Sequence, residues 1–89
     1  MELDTKKLFS RQFEQRLEIL TDLSPKDVHA MYEISEELPL TVHPSTRNSL
    51  KRDSLIVSEG KGFKLTPLGE VVYKRALDML NHDWHPGRY

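Results

Sequence analysis

The sequence predicts a small, mainly α-helical domain with one β-hairpin, in the order helix, helix, helix, strand, strand, helix. Three of the four helices are indicated by apolar residues that recur every three or four positions. Two helix starts pair a polar capping residue with a proline, at Ser24-Pro25 and at Thr66-Pro67. The hairpin is indicated by the turn segment Glu59-Gly60-Lys61-Gly62, which separates two short apolar runs.

Length and composition indicate one domain. The chain has 89 residues, 37% hydrophobic and 30% charged, and we expect a domain over residues 1–82 with a flexible C-terminal tail over 83–89. There is no cysteine, which excludes a disulfide framework, a thiol nucleophile and a cysteine-ligated metal site. No apolar run reaches membrane-spanning length and the N-terminus does not resemble a signal peptide, so we expect a cytoplasmic protein.

The first two helices carry clear apolar stripes. The first helix is predicted from about Asp4 to Leu23, and its stripe consists of Phe9, Phe13, Leu17 and Leu20. The second begins at a capping box of Ser24 and Asp27 and ends before Pro39, since a residue preceding proline avoids the α region. Its stripe consists of Val28, Met31, Ile34 and Leu38. Its solvated acidic face is expected to comprise Glu33, Glu36 and Glu37.

The remaining elements follow from turn and capping signals. The third helix is predicted at about Pro44–Asp53, with His43 or Thr41 as its cap, and its only large apolar residue is Leu50. The hairpin strands are predicted at Leu55–Val57 and Phe63–Leu65, with the Phe63 ring in the core. The fourth helix starts after its cap, Thr66, and its expected stripe consists of Leu68, Val72, Ala76 and Met79.

Charge is unevenly distributed along a chain whose net charge is −1. Residues 1–40 hold five Lys or Arg against nine Asp or Glu, whereas residues 41–64 hold five against two. Residues 65–89 hold three of each sign. The middle of the chain is therefore locally positive on an acidic domain, and a binding partner responds to that local field.

The exposed third helix and the hairpin turn supply the candidate DNA-binding residues. The joint before this helix is short, as in a helix-turn-helix. Because arginine can fork onto guanine and asparagine onto adenine, we assign base contacts to Arg47, Asn48 and Lys51. Phosphate contacts are assigned to Ser45, Thr46 and Arg52. Lys61 and Lys64 are assigned to the neighbouring backbone or minor groove, although two lysines at a hairpin tip are by themselves ordinary surface chemistry.

The stretch STRNSLKRDSLIVSEGKGFKLTPLGEVVYKRAL resembles the recognition helix, wing and following helix of bacterial winged helix-turn-helix regulators of the MarR and PadR type. The matching positions are Leu50, Leu55, Ile56, Gly60, Gly62, Phe63, Leu65, Thr66, Pro67, Leu68 and Gly69. The resemblance implies a winged helix-turn-helix fold and a small transcription regulator that binds double-stranded DNA. The chain departs from the pattern at Ser54, where these regulators have a glycine that ends the helix in a left-handed turn.

One such module makes few DNA contacts, so we expect a homodimer that binds two half-sites. The first and fourth helices are the candidate dimer elements because they carry more apolar surface than so small a domain needs.

A second interpretation belongs to a different class. The chain would be a winged-helix adaptor or inhibitor, such as one encoded by a phage, that binds a protein and not DNA. Carboxylates on the face of the basic helix and hairpin would repel DNA and favour this interpretation. The carboxylates in question are Glu14, Glu18, Asp22, Glu33, Glu36 and Glu37.

Catalytic and metal chemistry are not indicated. No nucleophile elbow, phosphate-binding glycine loop or inward pair of carboxylates is evident, so we expect neither an enzyme nor a cofactor. His82, Asp83 and His85 have a metal-like spacing, but a metal needs three or four ligands that are held in place. We therefore expect no metal site in the tail.

Overall fold

The structure is a computed structural model that describes residues 5–20 and 23–81. Over these residues the elements, in chain order, are α1 (Thr5–Leu8), α2 (Arg11–Leu20), α3 (Pro25–Ser35), α4 (Pro44–Arg52), β1 (Ile56–Glu59), β2 (Gly62–Leu65) and α5 (Pro67–Asn81). The prediction of a mainly helical chain with one antiparallel hairpin before the last helix is confirmed. Within the described part of the chain, no helix is long and apolar enough to cross a membrane.

The prediction of one continuous first helix is wrong, because the helix is interrupted at Ser10. The Ser10 hydroxyl donates to the Lys7 carbonyl oxygen at 2.8 Å and accepts from the Phe13 N–H at 3.3 Å. These local bonds end α1 and start α2, as serine side chains commonly do near helix termini. The break also shifts the buried face, since Leu8 is fully buried while Phe9 is half exposed.

The predicted start of α3 is confirmed as a reciprocal capping box. The Ser24 hydroxyl accepts from the Asp27 N–H at 3.4 Å, and the Asp27 carboxylate accepts from the Ser24 N–H at 2.9 Å. Two otherwise unpaired helix donors are thereby satisfied.

The predicted end of α3, just before Pro39, is wrong. The helix stops at Ser35, and Glu37 adopts a left-handed conformation with φ +56°. The Leu38 N–H then donates to the Glu33 carbonyl oxygen at 2.8 Å, which is the closing bond of a Schellman motif. Leu38 therefore lies outside the helix and is half exposed instead of belonging to the core stripe.

The core lies between α2, α3, α5 and the inner face of the hairpin. Its fully buried large side chains are Phe13, Leu8, Leu17, Met31, Leu50, Ile56, Leu80 and Val28. The predicted stripe of α5 is partly wrong, because Leu68 is 53% exposed and Val72 is only half-buried. Ala76 and Met79 are buried as predicted, and the other large buried side chains of α5 are Tyr73 and Leu80. They follow Gly69, whose contact with the hairpin decides which face of α5 is turned inward.

The end of α4 keeps a left-handed turn although its residue there is not a glycine. Ser54 has φ +62° and donates its N–H to the Lys51 carbonyl oxygen at 3.1 Å. The Leu55 N–H donates to the Leu50 carbonyl oxygen at 2.9 Å. The departure at Ser54 thus leaves the turn intact but holds a side chain in a backbone conformation that favours glycine.

Thr66 and Gly69 fasten the start of α5 to this turn. The Thr66 hydroxyl donates to the Ser54 carbonyl oxygen at 2.6 Å and accepts from the Gly69 N–H at 3.0 Å, which confirms Thr66 as the cap. The Thr66 N–H donates to the Leu55 carbonyl oxygen at 3.0 Å. A Cβ atom on Gly69 would overlap this same Leu55 carbonyl, so only glycine allows the helix so close to the hairpin.

Gly69→Ala is expected to lower the free energy of unfolding by about 1–3 kcal/mol, because the added methyl group meets rigid backbone. Chemical denaturation measures the change. The matched control is Gly62→Ala, whose Cβ has open space, and its unfolding free energy should stay the same or rise slightly. Equal effects of the two substitutions would contradict the proposed close contact.

Ser54→Gly is expected to raise the free energy of unfolding by about 0.5–1 kcal/mol, because glycine adopts the left-handed conformation without steric cost. The same denaturation experiment applies. A decrease in stability would mean that the Ser54 side chain makes a contribution that outweighs the backbone strain.

Candidate nucleic-acid interface

α4 is attached to the domain by one large apolar side chain and presents a polar surface. Leu50 is fully buried, and the remaining eight residues of the helix include no acid. Its exposed candidate residues are Ser45, Asn48, Lys51 and Arg52, whereas Thr46 and Arg47 are half-buried. The structure therefore brings all six α4 residues assigned from the sequence onto one helix whose outer surface is open to solvent.

The N-terminus of α4 is capped by a histidine. The His43 Nδ1 atom accepts from the Ser45 N–H at 3.1 Å and lies 2.9 Å from the Ser45 hydroxyl oxygen. Of the two caps considered, His43 is thus the one that the structure uses. The first turn of the helix is ordered by this bond before any partner binds.

The hairpin contacts α4 through the ring of Phe63, a role that the sequence did not indicate. The Arg47 guanidinium carbon lies 5.5 Å from the centre of this ring, and the Lys51 Nζ atom lies 5.8 Å from it. Both distances allow cation–π attraction. Phe63 is also partly buried against the core, as predicted, so one side chain links β2 to two of the three cations of α4.

The two hairpin lysines occupy different environments. Lys61 is exposed in the two-residue turn, where Gly60 has φ +59°, as the first position of a type II′ turn requires. The Lys64 Nζ atom lies 3.4 Å from the Glu59 carboxylate. Because both of these side chains are exposed, the ion pair is weak, but it offsets the local positive charge of Lys64. Lys61 is therefore the less neutralised of the two.

Arg52 is paired weakly along its own helix end. Its Nε atom lies 4.0 Å from the Asp53 carboxylate, and its guanidinium donates to the Ser49 hydroxyl at 3.4 Å. The Arg52 side chain is 78% exposed, so it can leave both groups at little cost when a phosphate approaches.

Glu33 does not belong to a solvated acidic face, which corrects the expectation from the sequence. It is 5% exposed and accepts from the Thr41 N–H at 3.1 Å and from the Thr41 hydroxyl at 2.8 Å. His29 Nδ1 lies 3.8 Å from the same carboxylate. Glu33 thus anchors the segment between α3 and α4, and this segment positions α4.

Other carboxylates lie beside the basic elements. Glu37 and Glu59 line a depression together with Arg47, Lys61 and Phe63. A second groove shares Glu37, Glu59 and Phe63 with this depression and runs between α3, β2 and α5. Its acidic residues are Glu36, Glu37, Glu59, Glu70 and Asp78. Burial, aided by the charge of Glu36, raises the pKa of Tyr73 in this groove to about 12.

The other carboxylates that the sequence suggested could repel DNA lie either on the exposed surface of α2 or outside the described residues. Glu14 and Glu18 are exposed on α2, and Asp22 lies outside the described residues. The tail residues His82, Asp83 and His85 also lie outside the described residues, so the structure does not test their metal-like spacing. In residues 5–20 and 23–81, no three His, Asp or Glu side chains are grouped as a metal site.

Comparison of the chain with protein-family models, with curated proteins and with solved structures gives no match.

Proposed function

We propose that this chain is a winged helix-turn-helix domain that binds double-stranded DNA as a small transcription regulator. The observation that carries the proposal is the composition and exposure of α4, a helix with three cations, no acid and one buried anchor, Leu50. A helix of this kind can enter a major groove while the domain behind it stays intact. The order of α3, α4, hairpin and α5 supports the winged-helix assignment.

The contacts of each side chain support a division of labour. Asn48 and Lys51 are exposed on α4 and are suited to reach base edges, and Arg47 joins them when it moves away from Phe63. Ser45, Thr46 and Arg52 flank these residues and contact phosphates. Lys61 lies on the hairpin turn and contacts the adjacent backbone, whereas Lys64 must first leave Glu59.

The proposal includes a homodimer that reads two half-sites. Exposed apolar side chains on α2 and α5 support this arrangement: Ile19 is 81% exposed, Leu68 53% and Val71 59%.

We expect sedimentation at tens of micromolar protein to give twice the 10.4 kDa chain mass. Val71→Lys, which places a charge in the α5 patch, should shift the equilibrium to monomer. A wild-type monomer at that concentration would contradict the dimer.

A second candidate function, a protein-binding adaptor, is favoured by a specific observation. Glu37 and Glu59 share a depression with Arg47 and Lys61, so part of the basic surface adjoins negative charge. These carboxylates would disfavour DNA phosphates at that edge of the hairpin. The DNA proposal therefore requires contact mainly through the outer face of α4.

The test is fluorescence anisotropy of a labelled random-sequence duplex, titrated with protein at several salt concentrations. Binding should weaken steeply with salt, because cations of α4 and the hairpin displace counterions from phosphates. Arg52→Ala should weaken binding to all sequences and lower the slope of log affinity against log salt by about one, because Arg52 is the exposed α4 cation assigned to a phosphate. Lys26→Ala, at an exposed lysine in the first turn of α3, is the matched control.

The outcomes separate the two candidate functions. A steep salt dependence that is reduced in Arg52→Ala but unchanged in Lys26→Ala supports DNA binding through α4. An equal loss in both variants would indicate nonspecific attraction and contradict the assigned surface. No binding at low salt would contradict DNA binding altogether and leave the adaptor function.

A further inference from the structure

The outer edge of β2 carries backbone groups that the hairpin does not use. The sheet has two strands, and its register pairs Ile56 with Leu65 and Ser58 with Phe63. The Thr66 N–H bonds to the Leu55 carbonyl oxygen, so the pair formed by these two residues is hydrogen-bonded. Hydrogen-bonded and non-hydrogen-bonded pairs alternate along an antiparallel ladder.

This alternation makes the pairs at Phe63 and Leu65 the non-hydrogen-bonded ones. Their N–H and C=O groups consequently point away from β1 and towards the free side of β2. Outside the hairpin, the backbone hydrogen bonds of the described residues include none from Phe63 or Leu65. Among the residues that the structure describes, the outer edge of β2 thus has no strand partner, and an edge of this kind accepts another strand.

A groove of about 850 Å³ runs along this edge. Ile34 of α3 and Leu77 of α5 contribute apolar side chains to it, and Phe63 and Leu65 contribute from β2. Five carboxylates line the groove against two lysines, Lys64 and Lys74. The pairing of Lys64 with Glu59 leaves four carboxylates against Lys74, so the net field in the groove is negative.

We propose that this groove binds an extended, lysine- or arginine-bearing peptide segment of a partner protein, which adds to β2 as a third strand. The backbone groups of Phe63 and Leu65 supply the main-chain hydrogen bonds, and alternate peptide side chains contact the apolar lining. The remaining side chains of the peptide place their cations near the carboxylates that line the groove. A phosphate backbone does not fit here, because the groove is acidic.

The inference names a partner class for the protein-binding function and does not depend on DNA binding. No residue of α4 lines the groove, so the groove and the outer face of α4 are formed by different residues. Peptide and DNA binding can therefore be tested separately on the same protein sample.

The probe is an acetylated, amidated heptapeptide of alternating lysine and valine, added to the full chain. At saturation, amide hydrogen exchange at Phe63 and Leu65 should slow at least about tenfold, because both N–H groups gain acceptors. The Lys64 amide, which faces Val57 inside the hairpin, should change less. The same peptide N-methylated at its three central residues keeps its charge and should lose binding, since it cannot pair along the strand.

Substitutions that neutralise carboxylates of the groove test their contribution to peptide binding. Glu37→Gln with Glu70→Gln should weaken peptide binding at least about threefold, whereas the control pair Glu14→Gln with Glu18→Gln on α2 should not. Unchanged exchange at Phe63 and Leu65, undiminished binding of the N-methylated peptide, or equal loss in both double variants would overturn the inference. If DNA still binds in that case, only the peptide site is refuted.

Discussion

The close contact between the Gly69 backbone and the Leu55 carbonyl group determines how α4, the hairpin and α5 are placed relative to one another. Thr66 adds two bonds at the same point, one to the Ser54 carbonyl oxygen and one to Leu55. The end of α4, the start of β1 and the start of α5 thereby meet within a few residues. Because the Gly69 contact with Leu55 and the bond from the Thr66 N–H join backbone to backbone, side-chain motion cannot relax them, and the hairpin keeps a defined position beside α4.

This placement gives the hairpin two different sides. Towards α4, the ring of Phe63 attracts Arg47 and Lys51 and joins the hairpin to the cationic helix. Towards α3 and α5, the open edge of β2 faces a groove whose net charge is negative. Phe63 contributes to both sides.

Local chemistry made much of the fold predictable. The caps at Ser24, His43 and Thr66 each depend on neighbours within three residues, and the hairpin turn depends on its glycines. The errors arose where contacts between distant segments, or competing local bonds, decided the outcome. The burial of Glu33 depends on Thr41, eight residues away, and the exposure of Leu68 depends on how α5 meets the hairpin. The candidate α4 residues were identifiable from composition, but the cation–π contacts of Phe63 required the tertiary arrangement.

The most direct test of the central claim, that α4 is the DNA-binding element, is an amide-resolved NMR titration with random-sequence duplex DNA at low salt. The account predicts that the largest shifts fall in residues 45–52 and at the hairpin turn formed by Gly60 and Lys61. Amides of α2 and of the acidic groove should change little. Shifts concentrated on α2 or in the groove, or no shifts at all, would contradict the claim that α4 binds DNA.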